Sequence, residues 1–144
     1  MSTPDALIAE REAARATLQR ALRAVADRWE QHPAGEGEEA WSPRQTAEHV
    51  VGTVQLFAKG LCATCGLDRP WSAFDGRKAS FPDADSALVA LGRVMEYDDA
   101  VLTQVQAAHL TAPHEMFETV EGLIQAGTHH LDDHAAQMIA ATQR

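Results

Sequence analysis

His130 and His134 lie four residues apart in the run His129-His130-Leu131-Asp132-Asp133-His134. In an α-helix, positions i and i+4 share one face a single turn apart, so the two imidazoles can converge on one metal ion. Neutral imidazole is a common ligand for zinc, copper, iron and nickel. Three protein ligands plus an open position is the arrangement of catalytic zinc sites, whereas structural sites are closed by four. The pair therefore calls for a third ligand from elsewhere in the chain.

His49 is the best-placed third ligand, because it lies on the shoulder of an apolar helical stripe, about 100° round the helix from Val50. Pattern alone leaves the alternative of an ordinary half-buried histidine. The other histidines fit less well. His32 falls in an acidic loop, His109 ends a helix, His114 follows a proline, and His129 points about 100° away from the pair by being its neighbour. Without a metal, two inward-facing imidazoles would each need a separate buried partner, and this weighs against a packing role for the pair.

The elements that must carry these residues are four helices. Residues 4–31 place Leu7, Ala14, Leu18, Leu22, Val25 and Trp29 at helical spacing, predicting the first, and 32–39 form a breaker loop with proline, glycines and acids. Ser42-Pro43-Arg44-Gln45 is a start signal for the second: the serine can cap, the proline suits the first helical position, and the glutamine can reach back to the cap amide. Its stripe of Ala47, Val50, Val51, Val54, Phe57, Ala58 and Leu61 ends near Gly66. A third helix is expected from Asp83 to Ala108, and a fourth from between Pro113 and Thr119 to Thr142, with His130 and His134 inside its apolar stripe. With no period-two strand and no internal repeat, the chain reads as one all-α domain over residues 1–144, a four-helix bundle, in which metal sites are built from side chains on facing helices.

Composition narrows the function. A formal charge of −9, with Lys59 and Lys78 as the lysines, leaves no basic stripe for a nucleic-acid backbone. There is no apolar run of about 18 residues and no basic-then-apolar leader, so neither a membrane span nor export is expected and the cytoplasm is the default compartment. The two cysteines make no disulfide framework. Cys62 and Cys65 form a CxxC at the C-terminal end of the second helix, where the dipole acts against a reactive thiolate; they read as small helix residues ahead of a reversible disulfide or a metal site. Within the connection 66–82, Trp71, Phe74 and Phe81 either pin the loop to the bundle or form a lid over a pocket. Asp98 sits within the stripe of the third helix, where a carboxylate is costly unless paired. It either reaches solvent or an arginine, or serves the metal site as an extra ligand, orienting partner or proton-handling group, a role that Asp132 and Asp133 can also fill.

Trp41-Ser42-Pro43-Arg44-Gln45-Thr46-Ala47-Glu48-His49-Val50, followed at a distance by His130-Leu131-Asp132-Asp133-His134-Ala135-Ala136-Gln137-Met138, resembles the DinB/YfiT-like superfamily. That resemblance implies an up-down-down-up four-helix bundle, frequent homodimers, and one zinc or nickel ion held by three histidines, which here would be His49, His130 and His134. It also implies activity on a small-molecule substrate, as a metal-dependent hydrolase or as a transferase or isomerase using a low-molecular-weight thiol such as bacillithiol or mycothiol. Many relatives have no assigned activity, and a non-catalytic metal-binding module for stress response or sensing is the alternative.

Overall fold

A computed structural model describes residues 2–70 and 79–143. Four helices make up the body: α1 (Pro4–Ala24), α2 (Pro43–Cys65), α3 (Ala84–Leu102) and α4 (Val120–Ala141). Each begins on a side-chain cap. Thr3 accepts from the Ala6 amide, Asp83 from Ser86 and Thr119 from Gly122. The start of α2 is a full capping box with Pro43 in its first turn: Ser42 Oγ accepts from the Gln45 amide and Gln45 Oε1 accepts from the Ser42 amide. Gly66 closes α2 in the left-handed conformation, φ 66°, with its amide on the Cys62 carbonyl.

The apolar stripes meet in two layers. One joins Leu18 and Leu22 of α1, Val50 and Val54 of α2, Leu91 and Met95 of α3, and Leu131 and Met138 of α4. The other joins Leu7 of α1, Leu61 of α2, Val101 of α3 and Leu123 of α4. The second layer takes the start of α1, the ends of α2 and α3, and the start of α4. The helices therefore run up, down, down and up, an all-α bundle of the expected class. α4 packs on α1 and α2, and α3 packs on α2 and α1. Among the described residues, no helix is long and apolar enough to cross a membrane.

Two helices stop earlier than their periodicity suggests. α1 ends at Ala24 rather than Gln31, and a 3-10 turn over Ala26–Arg28 redirects the chain. Trp29 is then buried against the long connection, its indole Nε1 donating to the Phe81 carbonyl while its own carbonyl accepts from the Arg44 amide. α3 ends at Leu102 rather than Ala108; just beyond it the Gln104 side chain is pulled onto the backbone of Asp68, accepting from its amide and donating to its carbonyl. A two-residue antiparallel pair, β1 (Pro113–His114) with β2 (Glu118–Thr119), precedes α4 where no strand was expected. Phe81 is buried, which fits pinning of the loop, whereas Trp71 and Phe74 lie outside the described residues.

A candidate three-histidine metal centre

The capping box fixes where α2 starts, and so places His49 two turns into the helix at the level of the first apolar layer. α4 runs antiparallel to α2 and brings His130 and His134 to the same level, His134 buried and the other two half-buried. The Nε2 atom of His130 lies 3.2 Å from that of His49 and 3.0 Å from that of His134. One ligand atom from each of the three lies within 4.8 Å of the others, and Asp98 is not part of this group.

At His134 the group turned toward the other two rings is a lone pair. The Gln137 side-chain amide donates from Nε2 to the Glu38 carbonyl at 2.6 Å, so its Oε1 end faces His134 Nδ1, 2.7 Å away. An amide oxygen only accepts, so Nδ1 carries the proton of His134 and Nε2 is left with its lone pair turned toward the other rings. His130 Nε2 has two nitrogen neighbours and at most one proton, and that proton can satisfy only one of them. A divalent cation satisfies all three nitrogens together. With metal–nitrogen bonds of about 2.0–2.1 Å, ligand nitrogens sit about 2.9 Å apart at right angles and about 3.3 Å apart in a tetrahedron, and the two separations from His130 fall between these.

Electrostatics keeps the rings of His130 and His49 in the ligating form. Burial, reinforced by the charges that His134 and His49 would carry, pushes His130 down to about 4, and burial together with His134 lowers His49. Both are neutral near pH 7, as a metal requires. Trp41 covers this end of the bundle, its ring centroid 5.0 Å from that of His49 and stacked at 6.4 Å from that of His134. Beside His49 opens a cleft of about 610 Å³ bordered by Trp41, Gln45, Gly52, Thr53, Leu56 and Lys59.

The remaining candidates are placed as follows. Asp98 is buried, and both its oxygens accept from Arg11 Nη1 at 2.8 Å; burial pushes its carboxyl up and the guanidinium opposes that rise. Arg11 is itself buried, donating from Nε to Thr128 Oγ1 and from Nη2 to the Ile124 carbonyl. Of the two alternatives for Asp98, the structure shows the arginine partner. Asp132 and Asp133 are exposed. Glu48 accepts from Arg44 Nε and from the Phe81 amide, tying α2 to the connection before α3. His109 and His114 accept backbone amides through Nδ1, His32 Nδ1 lies 3.0 Å from the Ala40 carbonyl, and His129 is exposed. Cys62 and Cys65 are free, and burial pushes both thiols up, away from reactivity. The structure adds a role for Gln137, which belongs to the last-helix pattern of the resemblance but had no role assigned, and for the Glu38 carbonyl, which sequence reasoning did not find. Gln137 had a signal, three positions after His134 and so on the same side of α4; a backbone carbonyl has none.

Comparisons with curated proteins and with solved structures find no match. A family model, that of the DinB superfamily, matches residues 10–138, a span that contains all three histidines of the cluster. Taken with the helical bundle and the cluster on α2 and α4, that match places this chain in the DinB superfamily.

Proposed function

We propose that the protein is a metal-dependent enzyme acting on a small molecule, with one divalent ion, zinc or nickel, on His49, His130 and His134. The observation that supports this reading is the meeting of three imidazole Nε2 atoms, one of them oriented by Gln137, beside an open cleft. When bound, the ion supplies Lewis acidity of the kind that turns a water or a thiol into a nucleophile near neutral pH. Three imidazoles leave a tetrahedral ion one ligand short and an octahedral ion three short, which leaves room for a substrate atom.

The chain's own residues do the rest. Trp41 shields the rings of His49 and His134 from bulk water. The cleft beside His49 is bordered by Gln45, whose Nε2 is not used by the capping box, by Thr53, whose hydroxyl donates to the His49 carbonyl, by Leu56 for an apolar body, and by one charge of each sign, Lys59 and Glu48. This suits either hydrolysis or attack by a low-molecular-weight thiol on an electrophile, and in both cases the same three histidines are required.

The test combines elemental analysis of the purified protein with the His49→Ala, His130→Ala and His134→Ala variants. One ion per chain, sharply reduced in each variant, is expected. Cobalt-substituted protein is then titrated with azide, small thiols and carboxylates, alongside ester, amide and thiol-transfer assays. Undiminished metal in the variants would overturn the ligand set. A spectrum unmoved by every ligand, with activity no higher than in His130→Ala, would leave a non-catalytic metal-binding module in place of the enzyme.

A further inference from the structure

We infer that Gln137 is the positioning residue of the histidine site and that it fastens the acidic segment 36–41 over that site. The inference rests on the proposed metal site for its purpose, but the contacts that carry it are within the chain.

The Gln137 side chain uses both ends of its amide. Oε1 accepts a hydrogen bond from His134 Nδ1 at 2.7 Å, and Nε2 donates at 2.6 Å to the Glu38 carbonyl, 99 positions away in sequence. The second contact determines the first, because a carbonyl can meet only the donor end of an amide. Flipping Gln137 would set oxygen against oxygen at Glu38 and leave Nδ1 of His134 facing an NH2 group. The tether therefore locks His134 in the tautomer whose Nε2 is free for a ligand, and such outer contacts are commonly worth 10- to 100-fold in metal affinity.

The other end of the tether holds the cover. The Glu38 carbonyl also accepts the Trp41 amide at 3.1 Å, closing the 3-10 turn Gly37–Ala40. The ring of Trp41, the residue that follows this turn, lies against His49 and His134. One carbonyl thus links the orientation of a ligand to the placement of the indole over the site. This segment carries Glu36, Glu38 and Glu39 and has no buried residue in its turn; besides the Gln137 tether, it is held by His32 Nδ1, 3.0 Å from the Ala40 carbonyl, and by the Trp41 ring contacts.

Two variants separate the halves of the device. Gln137→Leu removes both contacts, whereas Gln137→Glu keeps an acceptor for His134 Nδ1 but cannot donate to Glu38. Gln137 is half-buried near the end of α4, and circular dichroism verifies that both variants keep their helices. Three quantities are measured: the zinc dissociation constant, the ring 15N shifts of His134 in metal-free protein, and amide hydrogen exchange over 37–41. For Gln137→Leu we expect zinc binding weakened 10- to 100-fold, loss of the pure Nδ1–H signature, and faster exchange at 37–41. For Gln137→Glu we expect zinc affinity within a few-fold of the parent, the Nδ1–H signature retained, and exchange as fast as in the leucine variant. A leucine variant with the parental tautomer and parental exchange overturns the inference, whether or not zinc is bound. A parent protein that binds neither zinc nor nickel overturns the proposed function instead, while the 15N and exchange data still decide the role of Gln137.

Discussion

Replacing Asp98 by alanine should unfold the protein more easily while leaving its metal in place. Asp98 lies between the two apolar layers, flanked along α3 by Met95 of one and Val101 of the other. Arg11 occupies the matching gap on α1 between Leu7 and Ala14, and Thr128 the one on α4 between Ile124 and Leu131. The side chains of Arg11 and Asp98 are only 6% and 3% exposed, so truncating Asp98 strands a buried guanidinium without its counter-charge. Breaking a buried pair in this way costs about 3–5 kcal/mol, a large share of the roughly 5–15 kcal/mol of a whole domain. At about 2–4 °C per kcal/mol, the melting temperature should fall by about 6–20 °C. Removing both charges, as Arg11→Met with Asp98→Leu, should recover most of the loss, since Thr128 Oγ1 still donates to the Ile124 carbonyl at 3.2 Å.

Gly127 offers an internal check. A Cβ there would lie 2.8 Å from Arg11 Nη2 and 3.3 Å from Cζ, so Gly127→Ala should destabilise the parent, where hydrogen bonds hold that guanidinium still. In the charge-free background the clash is gone, and the same change should stabilise by up to about 1 kcal/mol through helix propensity. Urea unfolding followed by circular dichroism, with metal content measured on the folded protein, reads all of these. The reasoning fails if Asp98→Ala costs less than about 1 kcal/mol, or if it empties the site of metal while stability holds, for then the carboxylate serves the ion.

Four further outcomes are expected. Chelation should leave the circular dichroism of the helices largely intact, because two apolar layers hold the bundle together, and restoring metal at a hundredfold excess over Kd should add about 2.7 kcal/mol; a chain that unfolds on chelation would show that the core is weaker than its packing implies. In metal-free protein the lowered His130 and His49 bind fewer protons folded than unfolded, so stability should fall as pH drops from about 6.5 toward about 4; a flat urea midpoint across that window would contradict the burial of the rings. Thr46 Oγ1 is buried without a hydrogen-bond partner among the described residues, so Thr46→Val should be neutral or stabilising by about 1 kcal/mol, and a loss of metal in that variant would mean that the hydroxyl serves the site. The alanines Ala9, Ala13, Ala16 and Ala24 of α1 permit close approach of a second copy, and sedimentation should show a dimer at micromolar concentration; a 15.6 kDa species alone would count against it.

What sequence could and could not show follows from how local each determinant is. The start of α2 was legible because Ser42, Pro43 and Gln45 cap a helix using only their own neighbours, and this start sets the height of His49. The pairing of His130 with His134 was legible because helical geometry alone brings them together. Where the helices stop was not, since neither Ala24 nor Leu102 is followed closely by a glycine or a proline. The chain turns there because Trp29 finds the Phe81 carbonyl and Gln104 finds Asp68, contacts 52 and 36 positions apart in sequence. Asp98 was legible as a residue needing a partner, but one carboxylate on an apolar stripe fits a metal site and an arginine equally well until α1 is set beside α3. The same limit hid the tether. Gln137 was visible on the inner side of α4, but its meaning depends on a main-chain oxygen at Glu38, and main-chain oxygens look alike in every sequence. A site in this bundle is thus legible as far as its side chains repeat along a helix, and is hidden where a ligand's orientation is delegated to the backbone of a distant loop.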